Sequence, residues 1–221
     1  MLIDGDFPSI LKGISAVLPP TVFHYKRVAV LELRERREFR KYGGVRIRQA
    51  HKSDLEPLAR CLRRAKPGLG DFRKRWDRGD ICFLAEADGS AVAVTWASFH
   101  KYRMEEVDYV FDPGNGGVYL YDAYTVPEWR LRGVHVNLME HLLEALPDRS
   151  VRGVYCAVEH GNRHSLRTHL RFGFQIARHV VEVRLMGLRW HRVKRVAAAG
   201  HEPRRLTRRI RSQTSGSCSV G

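Results

Sequence analysis

The chain has 221 residues, 43% of them hydrophobic, and a formal net charge of +15. That length suits one compact domain of ordinary size plus some extension, and the apolar content excludes a disordered chain. No run of about 18 apolar residues is present to span a membrane, and the early acids of Met1 to Asp6 do not make a secretory leader.

In chain order, residues 1–44 read as an N-terminal extension. From Phe7 to Leu18, Ile10, Ile14, Val17 and Leu18 fall near one face of a short amphipathic helix, which Pro19-Pro20 stops. Val28 to Leu33 has the β-branched content of a strand. Arg34 to Arg40 is a charged connector ended by Gly43-Gly44. The domain proper is expected over 45–196. Val45 to Arg48 alternates apolar and polar residues as a half-buried strand does. Ser53-Asp54-Leu55-Glu56 resembles a capping box, with serine as the cap. Its helix should run to about Ala65, with Leu55, Leu58, Ala59 and Leu62 inward, before Pro67-Gly68. A second short helix fits Leu69 to Arg78.

Ile81 to Ala87 and Ala91 to Phe99 form a strand pair across the Asp88-Gly89-Ser90 turn, where Asp-Gly supplies the positive φ a tight hairpin needs. After a loop at 112–117, Val118 to Val126 is a strand. A helix from about Gly133 to Leu146 carries Val134, Leu138, Leu142 and Ala145 on one stripe. Val151 to Val158 is a strand, Asn162 to Arg171 a helix stopped by Gly173, and Gln175 to Met186 a strand. Leu188 to Val196 either extends the sheet or leaves it. Disorder is expected from Ala197 onward. The fold class is α/β: a mixed sheet with helices on both faces.

Charge follows this division. Residues 1–50 carry +5, residues 51–188 carry +2 and residues 189–221 carry +8. The middle is nearly neutral, so nucleic acid, anionic lipid or an acidic protein would be attracted through the basic tail at 197–221, whose commoner role is solubility. Cys61, Cys82, Cys156 and Cys218 form no C-x-x-C pair and suggest no metal site. Cys82 and Cys156 lie in apolar runs and read as buried thiols of a reducing cytoplasm.

The most informative segment runs from Tyr121 to His135. A strand leaves through Val126-Pro127, a basic turn follows with Arg130, Arg132 and Gly133, and a helix begins. The first turn of a helix has amides without internal partners and a positive dipole end, and glycine lets a phosphate come close to the backbone. A second segment places Asn162 just after a strand and Gly173-Phe174 at the end of the following helix, which alone is an ordinary pair of helix caps.

Together the two segments resemble the GNAT superfamily of acyltransferases. Pro127-Glu128-Trp129-Arg130-x-x-Gly133-x-His135 matches its cofactor motif, Q/R-x-x-G-x-G/A after a Pro-Glu-aromatic triplet, except that His135 replaces the final small residue. Asn162 and Gly173-Phe174 match its later segment, with His169 at a tyrosine position. The resemblance covers about 45–186. It implies a mostly antiparallel central sheet with a splayed parallel strand pair, and acetyl-CoA as co-substrate with no metal.

The backbone of Ala123, Tyr124 and Thr125 would pair with the pantetheine arm. Arg130, Leu131, Arg132, Gly133, Val134, His135 and Val136 would hold the pyrophosphate, and Asn162 would contact the chain beside it. An acceptor amine would attack the thioester directly. His169 would protonate the departing sulfur as an imidazolium. Asp122, Glu128 and Glu159 are the nearby carboxylates, Asp122 and Glu128 being the catalytic candidates beside His169. Tyr119, Tyr121, Tyr124 and Trp129 would line an acceptor pocket. Ribosomal-protein N-terminal acetyltransferases carry a glutamate five residues before the asparagine, where this chain has Ala157. The expected function is acetyl transfer to a small-molecule or biosynthetic amine; the alternatives are a protein amine, or a non-catalytic module binding acyl-CoA or a polyanion.

Overall fold

A computed structural model describes residues 7–35, 43–62, 72–146 and 151–196. The expectations at 36–42, Pro67-Gly68, Pro147-Asp148, Cys218 and the tail from Ala197 lie outside these residues.

Among the described residues, ten strands and five α-helices form. The strands are β1 (Phe23–Leu33), β2 (Arg46–Gln49), β3 (Ile81–Ala87), β4 (Ser90–Ser98), β5 (Tyr102–Met104), β6 (Tyr109–Phe111), β7 (Gly117–Thr125), β8 (Gly153–Glu159), β9 (Phe174–Leu185) and β10 (Leu188–Arg195). The helices are α1 (Phe7–Val17), α2 (Leu55–Leu62), α3 (Phe72–Asp77), α4 (Val134–Ala145) and α5 (Arg163–Phe172). Eight strands make one sheet in the order β10-β9-β1-β8-β7-β4-β3-β2, and β5 and β6 form a separate hairpin. Every pairing in the large sheet is antiparallel except β7 with β8.

Alternating side chains give the sheet two apolar faces. One meets α4 and α5: Leu31, Leu120 and Val154 pack with Leu138, Phe172 and Phe174. The other meets α2, α3 and the β5–β6 hairpin: Val94, Trp96 and Tyr121 pack with Leu58, Phe72 and Phe111. Trp96 is fully buried, its ring stacked on Phe72 with centroids 5.8 Å apart. Burying a side chain of this size stabilises by roughly 1.5–3 kcal/mol. The three thiols in the described residues, Cys61, Cys82 and Cys156, are buried and unpaired.

Four features depart from the sequence expectations. The segment read as an extension supplies β1, which sits inside the sheet between β8 and β9 and pairs with both. The hairpin of β5 and β6 has no counterpart in the expected elements. Ser53 is not the cap of the first domain helix: it lies in a short 3-10 turn, and Asp54 reaches back to accept from the His51 amide at 2.8 Å. Ala145 is exposed, so the buried stripe of α4 is Val134, Leu138 and Leu142. The ambiguous segment at 188–196 extends the sheet as β10.

Candidate functional site

The site begins where two neighbouring strands stop pairing. β7 and β8 run in parallel register from Gly117 opposite Gly153 to Leu120 opposite Cys156. Beyond that point β7 continues to Thr125 and β8 to Glu159, each held by its other neighbour. A bulge explains the divergence on one side. Val94 lies opposite Tyr124 and Trp96 opposite Tyr121, so Asp122 and Ala123 together face Thr95. An extra residue of this kind bends its strand and strengthens the local twist. Asp122 accordingly takes a left-handed φ of 45°, and its carboxylate is fixed by Arg75 at 2.7 Å. Arg75 in turn lies 5.1 Å from the Trp96 ring and 5.0 Å from that of Tyr121.

The divergence opens a cavity of about 280 Å³ that passes through the sheet. On the α4 and α5 side it is lined by His135, Met139, Asn162, Ser165 and His169. On the hairpin side it is lined by Val28, Glu106, Tyr121, Ala157 and Glu159. Thr95 also lines it, fully buried, and its Oγ1 has no hydrogen-bond partner among the described residues. A buried hydroxyl without a partner carries a desolvation cost that a ligand carbonyl or amine would relieve.

The turn before α4 has the geometry expected for close approach of an anion. Leu131 and Gly133 adopt left-handed φ values of 62° and 76°, and Leu131 is 85% exposed. The first α4 bond runs from the Asn137 amide to the Gly133 carbonyl at 3.0 Å, so the amides of Val134, His135 and Val136 precede the helical ladder. The Val134 side chain is core, and only its main chain is available to a ligand. Arg130 donates from Nε to the Thr125 carbonyl at 3.0 Å and lies over the Tyr124 ring, while Arg132 lies over Trp129. That carbonyl is therefore engaged by Arg130 rather than open to an extended ligand. Tyr124 and Trp129 serve as platforms for these arginines and are not among the cavity residues.

His135 and His169 come together with ring centroids 5.4 Å apart. Burial, and secondarily the neighbouring His169, push His135 down to about 3. Burial also lowers His169, against a smaller opposing effect of its hydrogen bond to Ser165. The Nδ1–H of His169 donates to the Ser165 carbonyl at 2.8 Å. Burial thus works against the imidazolium form expected of His169. In the neutral ring the bond to a carbonyl places the proton on Nδ1 and leaves Nε2 an acceptor. Asn162 caps α5 by accepting from the Ser165 amide at 3.1 Å, as a helix start requires, while also lining the cavity.

Two carboxylate expectations change. Asp122 lines the cavity, but its ion pair with Arg75 makes it a brace of the bulge rather than a free base. Glu128 is exposed in the Pro127–Trp129 turn and does not line the cavity. The carboxylates that face the cavity are Glu159, near Lys26 at 3.9 Å, and Glu106, which has no ion pair among the described residues. Glu106 comes from the turn between β5 and β6. That turn is tied to β10: His191 Nε2 meets the Val107 carbonyl at 2.7 Å, and Arg103 and Arg189 both pair with Asp108. Of the aromatic residues expected at an acceptor pocket, Tyr121 lines the cavity with its hydroxyl donated to Asp80 at 2.6 Å. Tyr119 lies buried on the same face, 4.8 Å from the Tyr102 ring. Thr95 had one signal in the sequence, a single polar residue inside an apolar strand; Glu106 had none.

Comparison with known proteins agrees with this fold. A family model described as the acetyltransferase (GNAT) family matches residues 47–174. A GNAT-family protein from Novosphingobium aromaticivorans DSM 12444 superposes with a TM-score of 0.54 at 16% identity, over 76% of this chain and 68% of that one. An aminoglycoside N-acetyltransferase solved with CoA superposes with a TM-score of 0.50 at 24% identity, over 62% of this chain and 90% of that one. No curated protein matches the sequence.

Proposed function

The chain belongs to the GNAT family of acetyltransferases, and from that premise we propose that it moves an acetyl group from acetyl-CoA to an amine of a small-molecule or biosynthetic acceptor by direct attack. The observation that carries the reading is the cavity opened where β7 and β8 part, lined by His135 from the start of α4 and by the carboxylates of Glu106 and Glu159. Acetyl-CoA, when bound, supplies the acetyl group as a thioester.

The roles of the residues follow from where they stand. The amides of Val134, His135 and Val136, behind left-handed Gly133, would hold the diphosphate. Arg130, Arg132 and the exposed backbone of Leu131 would add to that grip. Ala123 at the bulge, with Tyr124 and Thr125 behind it, and Asn162 opposite would flank the pantetheine arm. An acceptor arrives as an ammonium and must lose a proton before it can attack. We assign that proton to Glu106, with Glu159 helping to bind the cation. Thr95 Oγ1 is an orphan donor available to the reacting carbonyl. His169, with Nε2 open, orients a donor group; as the C–S bond breaks, the proton left on the newly bonded nitrogen passes to the departing sulfur, which leaves as the CoA thiol. Ala157 lines the cavity where N-terminal acetyltransferases of ribosomal proteins carry glutamate, which favours a small acceptor over a protein terminus.

The test is a panel of amines incubated with acetyl-CoA while free thiol is measured. Amine-dependent release is expected. CoA binding with no turnover on any amine would instead make the protein a non-catalytic acyl-CoA binder. Glu106→Gln should lower kcat by about 10²-fold with acetyl-CoA affinity unchanged, the usual contribution of a positioned base. An unchanged kcat would pass the role to Glu159 or to water.

A further inference from the structure

A row of basic side chains crosses the sheet on the α5 side, away from the cavity. In the register of β1 with β9, Ala29 lies opposite His179 and Arg27 opposite Val181, so Arg27 and His179 are diagonal neighbours on one face. In the register of β10 with β9, Lys194 lies directly opposite His179. His160, at the end of β8, donates its amide to the Arg27 carbonyl at 3.0 Å, and its ring centroid is 6.5 Å from that of His179 in an edge-on arrangement. Arg163, the first residue of α5, and Lys12 of α1 add charge close by: each is near enough to act electrostatically on His160.

This cluster violates two rules of folded proteins. Like charges on adjacent strands destabilise a sheet unless something compensates them. Here Lys12, Arg27 and Arg163 form no ion pair among the described residues. The side chains that share this face of β1, β9 and β10 include no acid: they are Tyr25, Arg27, Val181, Val183, Trp190 and Arg192 beside His179 and Lys194. Buried polar atoms are also normally satisfied. Arg27 Nε and His179 Nδ1 are both shielded from solvent and both lack a partner among the described residues.

The opposite face of the same strands shows that the fold can supply partners. There Glu182, fully buried, receives Arg184 and Arg189 at 3.1 Å each. Basic side chains and unpartnered buried nitrogens around Arg27, His160 and His179, with no acid on that face among the described residues and a helix start beside them, have the chemistry of an oxyanion receptor.

We propose that Arg27, His160 and His179, flanked by Lys194, Arg163 and Lys12, form a binding site for a phosphate group, distinct from the acyl-transfer cavity. A tetrahedral oxyanion matches donors converging from three neighbouring strands and one helix start. None of these six residues lines the cavity, although Val28, Glu159 and Asn162, their chain neighbours, do. The two sites therefore share a wall, formed by the end of β8 and the first part of β1. The phosphate comes either from the ribose phosphate of CoA or from a separate phosphorylated molecule. The proposal does not depend on acyl transfer, since anion binding is measured without donor or acceptor.

The test is NMR of the histidine rings of the full chain, titrated with inorganic phosphate at constant ionic strength. Saturable shifts of His160 and His179, with exposed His51 and His100 unmoved, are expected. Arg27→Gln should weaken the binding by at least about tenfold, as loss of a charge-assisted pair does. Lys194→Gln, on an exposed edge strand, should weaken it less and covers the case in which the Arg27 variant does not fold. Absence of shifts at His160 and His179, or equal shifts at His51 and His100, would overturn the site. Competition then identifies the source. Displacement of phosphate by CoA but not by dephospho-CoA assigns the ribose phosphate, and displacement by neither assigns a separate ligand. Failure of the amine panel would leave these outcomes unaffected.

Discussion

The two faces of the β1–β9–β10 region are built from alternate residues of the same strands, yet they treat charge in opposite ways. On the hairpin face, Glu182 gathers Arg184 and Arg189, Asp108 gathers Arg103 and Arg189, and Glu159 meets Lys26. On the α5 face, Arg27, His160 and His179 find no carboxylate among the described residues. The first arrangement is ion-paired from within and holds the turn that presents Glu106. The second is complete only when something anionic arrives. Proteins keep charges buried when they are paired, and leave them unpaired where a ligand supplies the partner. The cavity repeats the contrast on a smaller scale: Asp122 is braced by Arg75, while Thr95 Oγ1 and the amides before α4 are open.

The sharpest test of this contrast is Glu182→Leu. Removing the acid leaves Arg184 without its carboxylate while Arg189 keeps Asp108, and both arginines are partly exposed, so unfolding in urea should show a loss of about 1.5–3 kcal/mol. A loss below about 1 kcal/mol would mean that the paired face is not structural. Next is Gly133→Glu, which places a carboxylate and a strained left-handed residue at the start of α4. CoA affinity, measured by calorimetry, should fall at least about 100-fold, and an unchanged affinity would move the cofactor elsewhere.

A smaller effect is expected at Asp54. Hydrogen bonds from Arg48 lower its carboxyl from 3.8 to about 2. Its stabilisation is present above pH 3.8 and is lost as pH falls toward 2, and it amounts to about 2 kcal/mol. The Asp54→Asn variant should therefore be less stable than the parent at pH 7, with the gap closing on acidification through that window. The smallest effect should come from Arg27→Leu. With no acid to leave behind, its stability should stay within about 0.5 kcal/mol of the parent or rise, whereas the same change at a paired arginine would be costly.

Most of the elements were legible because each carries its own period. The alternation of Val45 to Arg48, the Asp88-Gly89 turn and the spacing of Val134, Leu138 and Leu142 are local signals, and the structure keeps them. The hairpin was not legible. Its strands are three residues each, too short to show a period, and its turn, Glu105 to Asp108, lacks glycine, proline and asparagine. The placement of β1 was not legible either, since pairing with β8 and β9 depends on residues more than a hundred positions away. The candidate site divided along the same line. The turn from Pro127 to His135 is contiguous and could be read directly. Glu106, Thr95 and the Arg27 cluster are assembled by long-range pairing. Asp122 and His169 stood at recognisable positions, but their partners Arg75 and Ser165, which set what they can do, became visible only in three dimensions.

The interior position of β1 bears on how this protein is made. Val28 to Leu31, shielded once folded, emerges from the ribosome well before its partners on β8 and β9, which lie beyond residue 150. At a synthesis rate of about 5–20 residues per second, that apolar segment waits several seconds for them. The half of the sheet from β2 to β7 can assemble first, leaving a cleft into which the earlier-made β1 inserts last. Closing so long a loop is slow, and during the wait the exposed strand is the part of the molecule most open to capture by a chaperone or by another unfinished chain.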